Sequence, residues 1–138
     1  MLKICFCMRR LPQLSREEFQ TYYRRDHTRV LNPEEVEALG MRRYVQLHAL
    51  SAEQCARLDM GRGGEPEFDA VAEIWLDDEE SFERNWLGEA GQAALRRLME
   101  DEQKFVDWSR SVIFMSRELV FMDGPSTPAR PPKSAGGD

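Results

Sequence analysis

The sequence lacks the features of a membrane or nucleic-acid-binding protein. No apolar run approaches the roughly 20 residues that a membrane-spanning helix needs. The first ten residues lack a basic start and a small-residue cleavage site, so we expect no signal peptide. A basic excess is missing too, since 19 lysines and arginines stand against 25 acidic residues, for a net charge of -6. We therefore expect neither a membrane nor a nucleic acid as partner.

Cysteine and histidine are also scarce, which argues against a metal centre. The three cysteines, Cys5, Cys7 and Cys55, form no CxxC pair, and with two histidines they give no zinc-ligand spacing. Reduced thiols in a cytoplasmic protein are the expected state. The glycines of 61–64 lack the pattern of a phosphate-binding loop, and no Ser-His-Asp arrangement is recognisable. We expect no metal and no cofactor.

What the sequence does contain is enough apolar material for one domain. The chain has 138 residues, of which 41% are hydrophobic and 32% charged, as in ordinary globular proteins. Residues 123–138 hold four of the seven prolines and no large apolar side chain. Burial of apolar surface therefore cannot offset the entropy cost of ordering this segment. The sequence predicts a folded domain over 1–122 and a disordered tail over 123–138.

Within 1–122 the hydrophobic period alternates between that of strands and that of helices. Ser15 and Glu18 form a capping box, Asn32 and Gly40 bracket a short helix, and Asp77 or Asp78 caps a later one. The order β-α-β-β-α-β is that of a ferredoxin-like α+β fold, with a four-stranded, mostly antiparallel sheet and helices on one face. The predicted strands cover 2–8, 42–49, 68–76 and 111–121. The main helices cover 15–28, a segment that begins at 77 or 78 and is broken at Gly88, and a longer segment after Gly88 that runs to about 106.

The sheet needs cover on its second face. In the last strand Val112 and Phe114 point to one side, and Ile113 and Met115 to the other, so both faces are apolar. Helices protect only one of them. The sequence therefore predicts a homodimer in which two sheets close face to face into an α/β barrel.

Polar side chains at apolar positions mark the candidate site. His27 ends the first helix, where a favourable interaction with the helix C-terminus would also explain it. Tyr44, Gln46 and His48 share one face of the second strand. Glu73 lies within an apolar strand, where a structural ion pair is the alternative to a functional role. The third strand adds Asp69 and Trp75 to the face of Glu73, and Trp86 adds an apolar wall.

If these groups converge in an apolar cleft, an imidazole could act as a general base on a small molecule.

Five segments together resemble the EthD family over nearly all of 1–122. They are Ile4–Leu11, Ser15-x-x-Glu18-Phe19-x-x-Tyr22-Tyr23-x-x-x-His27, Arg43-Tyr44-Val45-Gln46-x-His48, Phe68-Asp69-x-Val71-Ala72-Glu73-Ile74-Trp75, and Asp101-Glu102-x-x-Phe105-Val106-Asp107. The resemblance implies a dimeric α/β barrel. It also implies that His27, Tyr44, His48, Asp69 and Trp75 occupy the family's motif positions. Some members resemble polyketide cyclases and dehydratases, whereas others accompany ether-degrading oxygenases.

Three hypotheses for function follow. The first is a cofactor-independent cyclase, dehydratase or isomerase that acts on a hydrophobic, polyketide-like carbonyl compound, with His27 or His48 as general base and Tyr44 as a catalytic partner. In it Gln46, Asp69, Glu73, Trp75 and Trp86 bind the substrate. The second is a non-catalytic protein that binds a small ligand or supports an oxygenase. The third is a haem enzyme with either histidine as axial ligand.

Overall fold

Four antiparallel strands form the frame of the protein in a computed structural model that describes residues 1–125. The strands are β1 (Leu2–Met8), β2 (Arg43–His48), β3 (Ala70–Leu76) and β4 (Val112–Arg117). Their order in the sheet is β2-β3-β1-β4, and every neighbouring pair is antiparallel. This is the predicted ferredoxin-like α+β sheet, which is therefore confirmed.

The helices begin where the sequence supplies caps. Ser15 with Glu18, Asn32 with Glu35, and Ser51 with Gln54 form complete capping boxes, each worth about 1 kcal/mol. Asp78, rather than Asp77, caps the helix after the third strand. The α-helices are α1 (Arg16–Thr21), α2 (Pro33–Ala38), α3 (Ala52–Asp59), α4 (Glu79–Ser81) and α5 (Glu89–Glu102).

Three predicted elements differ in detail from the structure. The helix predicted over 15–28 is α-helical only to Thr21, continues as a π-helical turn over Tyr22–Asp26, and ends as a 3₁₀ turn over His27–Arg29. A second π-helical turn, Phe82–Trp86, follows α4. The last strand ends at Arg117 instead of 121. An apolar run, Leu119–Met122, follows Glu118, but β1 begins at Leu2, opposite Arg117, so the ladder ends there.

The core lies between the helices and one face of the sheet. It consists of two apolar clusters, one around Ile4, Leu39 and Trp86 and the other around Phe19, Tyr23 and Phe105. Gly91 lets α5 approach the preceding turn, because a Cβ there would clash with the carbonyl oxygen of Asn85. The two clusters stay separate, which leaves space between them.

The opposite face of the sheet is uncovered in the single chain. Leu47, Val112 and Phe114 are each about half exposed there. Among the described residues no helix is long and apolar enough to cross a membrane. The predicted tail lies outside the described residues from 126 onward, so the boundary at 122 stays a prediction.

Candidate functional site

A cavity of about 360 Å³ opens between the two apolar clusters, under the helix-covered face of the sheet. Its volume lies in the range of small-molecule sites. Leu98 and Trp86 of one cluster and Met8 and Ala72 of the other contribute to an apolar wall. The polar groups on this wall are few, and they include the side chains of Tyr23, His27, Thr28, Tyr44 and Glu102.

His27 lies on this wall and is held by a carboxylate from α5. Its Nδ1 lies 2.7 Å from Oδ2 of Asp101, and only 8% of the residue is exposed. Tyr22 donates from its hydroxyl to the other oxygen of Asp101 at 2.8 Å, and Lys104 lies 3.4 Å from that oxygen. The π-helical turn before His27 adds a residue to the helix, a feature often found at functional sites.

Burial decides the protonation state of this pair. Desolvation lowers the pKa of His27, and the opposing effect of Asp101 does not cancel it. Desolvation also acts to raise the pKa of Asp101, but the hydrogen bonds from His27 and Tyr22 outweigh it and the pKa is lowered. The result at neutral pH is a neutral imidazole that donates Nδ1–H to a carboxylate. Its Nε2 then carries a free lone pair, which is the state a general base requires.

Two phenols form a second polar group at the cavity. The hydroxyl of Tyr44 donates to that of Tyr23 at 2.8 Å, and the side-chain amide of Gln46 donates to Tyr44 at 3.0 Å. This contact uses the hydroxyl hydrogen of Tyr44 only. The hydroxyl hydrogen of Tyr23 has no acceptor among residues 1–125 and is available to a ligand oxygen. Burial raises the pKa of both tyrosines, which keeps them protonated as donors.

His48 stands behind these phenols and does not line the cavity. Its Nε2 lies 2.8 Å from Oε1 of Gln46, which orients the amide toward Tyr44. Its Nδ1 is buried without a hydrogen-bond partner in the described part of the chain. The ring of Tyr23 lies between the two histidines. Its centroid is 6.0 Å from that of His27 and 5.5 Å from that of His48.

Glu102 is a carboxyl on the cavity wall that the sequence singled out only as part of the fifth EthD-like segment. Desolvation raises its pKa to about 7, with a smaller contribution from the negative charge of Asp101. Trp108 donates from its indole nitrogen to one carboxyl oxygen at 3.0 Å. Asp101 was likewise noted only as part of a motif. A helix-end histidine that needs a hydrogen-bond partner is the signal that could have directed attention to it.

Glu73 and Trp75 do not reach this cavity, and the expectation that they share a cleft with Tyr44 is wrong. Cross-strand partners share a face, and Tyr44 pairs with Ile74, whereas Glu73 pairs with Val45. Glu73 forms an ion pair with Lys3 at 3.1 Å on the uncovered face of the sheet. The indole of Trp75 donates to the carboxylate of Glu118 at 2.9 Å on that same face.

Asp69 also lies away from the cavity, in a cluster of ion pairs at the end of the sheet. Its side chain is almost fully buried and accepts from Nη1 of Arg10 at 2.6 Å and from Nε of Arg16 at 2.9 Å. The backbone nitrogen of Arg10 donates to the same carboxylate at 2.8 Å. These contacts tie the end of β1 to α1 and to the start of β3. By contrast, Trp86 does line the cavity, and its indole donates to the carbonyl of Leu39 at 2.9 Å.

No group of three or more potential metal ligands occurs among residues 1–125. The fold and the cavity together define a ferredoxin-like α+β protein with a small, apolar, ligand-sized pocket that contains a histidine–carboxylate pair. A family model places it further: the EthD domain matches residues 11–109, so the chain belongs to the EthD family. This confirms the resemblance on which the sequence prediction drew.

Three solved structures share this fold at low sequence identity. An EthD family protein from Bacillus halodurans is 18% identical, covers 86% of this chain and 99% of its own, and gives a TM-score of 0.56. An EthD-like protein from Ralstonia eutropha is 16% identical, covers 88% of this chain and 95% of its own, and gives a TM-score of 0.50. A dimeric protein of unknown function from Bacteroides fragilis, described as ferredoxin-like, is 8% identical, covers 85% of this chain and 95% of its own, and gives a TM-score of 0.52. No curated protein matches significantly.

Proposed function

We propose that this protein is a cofactor-independent acid–base enzyme that removes a proton beside the carbonyl group of a hydrophobic compound. The observation that carries the proposal is His27, a neutral imidazole held by Asp101 on the wall of an apolar cavity. Cyclisation of an aldol type, dehydration and isomerisation all begin with this step. The proposal therefore covers the cyclase, dehydratase and isomerase hypotheses together.

The residues divide the work of this step. Nε2 of His27 accepts the proton, and Asp101 stabilises the imidazolium that forms while keeping the ring in its Nδ1–H tautomer. The phenolic hydrogen left by the Tyr23–Tyr44 pair would donate to the oxygen of the developing enolate. Gln46 and His48 act behind Tyr44 and orient it rather than touch the substrate.

The class of substrate follows from the wall of the cavity. The indole of Trp86 and the aliphatic side chains around it offer contact to a hydrophobic body, and few polar groups remain to bind charged substituents. Desolvation in such a cavity strengthens each hydrogen bond to the reacting oxygen. A carbonyl compound with an aromatic or alicyclic body, such as a polyketide-like molecule, meets these conditions.

The working unit in this proposal is a homodimer. The uncovered face of the sheet carries Leu47, Val112 and Phe114, and the segment after β4 adds the exposed Val120 and Phe121. Apolar patches of this kind mark interaction surfaces. A second copy fits this face, since burying both sheets against each other covers the patch on each chain, and the Bacteroides fragilis protein of the same fold is dimeric.

Light scattering tests the dimer, because the chain alone has a mass of 16.1 kDa. The wild type should give twice that mass at micromolar concentration, and Phe114→Glu should shift it to the monomer. Leu58→Glu is the matched control, since Leu58 is exposed on α3. A wild-type monomer would contradict the dimer without touching the cavity chemistry.

Proton exchange tests the chemistry without knowledge of the natural substrate. The hydrophobic ketone 4-phenylbutan-2-one in heavy water should exchange the hydrogens beside its carbonyl for deuterium in the presence of the wild type, as followed by NMR. His27→Gln should reduce this exchange about a hundredfold or more. Wild-type exchange by the variant would refute His27 as the base. Binding of the ketone with no exchange by the wild type would favour the non-catalytic binding hypothesis instead.

A further inference from the structure

Glu102 is the acidic side chain on the cavity wall that the proton-abstraction step does not use. It is the last residue of α5, directly after the Asp101 that holds His27. Trp108 donates to Oε1 at 3.0 Å, while Oε2 has no hydrogen-bond partner within residues 1–125. One oxygen is thus fixed in position, and the other is free to present a proton to a ligand.

The surroundings of Glu102 favour its neutral form. No lysine or arginine of the described chain forms an ion pair with it, and Lys104 pairs with Asp101 instead. Trp108 donates to it, the charges of Asp101 and of the phenols of Tyr23 and Tyr44 interact with it, and His27 lines the same cavity. Burial and the negative charge of Asp101 together raise its pKa to about 7.

Within one cavity, burial therefore lowers the pKa of His27 and raises that of Glu102. Burial holds the imidazole neutral and able to accept a proton, and it holds the carboxyl protonated and able to donate one. Two titratable groups whose environments separate their proton affinities in this way are the arrangement expected of a base and an acid in one reaction.

We propose that Glu102 is the general acid of this cavity and that the substrate is a β-hydroxy carbonyl compound, from which the enzyme eliminates water. This inference rests on the proposed function. His27 removes the proton from the carbon beside the carbonyl, and that electron pair forms the new carbon–carbon double bond. The bond between the β-carbon and its hydroxyl oxygen breaks with its electron pair on oxygen. Glu102 protonates that oxygen, water leaves, and transfer of the proton from His27 to Glu102 through solvent restores both groups.

Proton exchange and elimination can be separated with the probe 4-hydroxy-4-phenylbutan-2-one. Exchange beside the carbonyl needs only the base, whereas formation of the conjugated enone, followed by its ultraviolet absorbance, needs the acid as well. Glu102→Gln should keep exchange within a few-fold of the wild type and slow elimination about a hundredfold. The glutamine retains an oxygen that can accept from Trp108, and Glu100→Gln, on the exposed side of α5, should leave both rates unchanged.

Each other outcome is decisive. Elimination at the wild-type rate by Glu102→Gln would overturn the inference, as would equal loss of exchange and elimination, which would make Glu102 a binding group. Exchange without elimination by the wild type would overturn the inference alone. Absence of both reactions would overturn the proposed function with it.

Infrared spectroscopy tests the protonation state of Glu102 without any substrate. The difference spectrum between wild type and Glu102→Gln should show a protonated carboxyl at about pH 6. A fully ionised Glu102 at that pH would refute its assignment as the general acid.

Discussion

Replacing Glu102 by glutamine should change how the stability of the protein depends on pH. In the folded chain Glu102 has a pKa of about 7, because burial disfavours its charged form, against an ordinary value of 4.5. Between about pH 4.5 and pH 7, Glu102 is therefore protonated in the folded protein and ionised in the unfolded chain. Stability from the neutral carboxyl is fully present below about pH 4.5 and is lost as the pH rises through about 7.

The size of this loss follows from the two pKa values. Each pH unit between them is worth about 1.4 kcal/mol, which gives roughly 3 kcal/mol, and partial exposure of Glu102 reduces this to about 2 kcal/mol. Glutamine cannot ionise. The free energy of unfolding of Glu102→Gln relative to wild type should therefore rise by about 2 kcal/mol between about pH 4.5 and pH 8.5.

Urea unfolding at a series of pH values, followed by far-ultraviolet circular dichroism, measures this difference. Glu100→Gln is the matched control and should not show a rise of this size. A difference between Glu102→Gln and wild type that stays constant across the range would show that the carboxyl ionises normally in the folded protein. That result would refute the reasoning about its environment.

Three further predictions concern other parts of the structure. Asp69→Asn should lower the free energy of unfolding by about 2 kcal/mol in urea, because Arg10 and Arg16 lose a buried partner, and an unchanged midpoint would contradict the structural role given to Asp69. Asp101→Asn should slow proton exchange at least tenfold and alter its pH profile, since the tautomer of His27 is no longer fixed; an unchanged rate and profile would make the contact incidental. Added haem should produce no Soret band of a histidine-ligated complex, and a band lost in His27→Gln would favour the haem hypothesis instead.

The fold was predictable because its signals are local. Alternation of apolar residues located the strands, and Ser15, Asn32 and Gly40 marked helix ends with side chains or backbone conformations that few other residues supply. The end of β4 was missed because an apolar run alone does not show whether a pairing partner exists beyond Arg117. The π-helical turn at Tyr22–Asp26 leaves no local signal of this kind either.

The site was predictable only in part, because its contacts are distant in the sequence. The sequence singled out His27 at a helix end, Tyr44 on the second strand and Trp86 as an apolar wall, and all three line the cavity. Asp101 meets His27 across 74 residues, a contact that no spacing rule supplies. Glu73 was misplaced because the face of a strand relative to its neighbour depends on register, which a single residue reverses.

The protonation state of His27 tests the central claim most directly. The chain has only two histidines, so a nitrogen-15 NMR spectrum of labelled protein contains two imidazoles, and His48→Gln assigns them. At about pH 7 His27 should be neutral with its hydrogen on Nδ1, and its Nε2 signal should shift when 4-phenylbutan-2-one is added. A protonated His27, or a hydrogen on Nε2 with no response to the ketone, would contradict the assignment of a general base to this cavity.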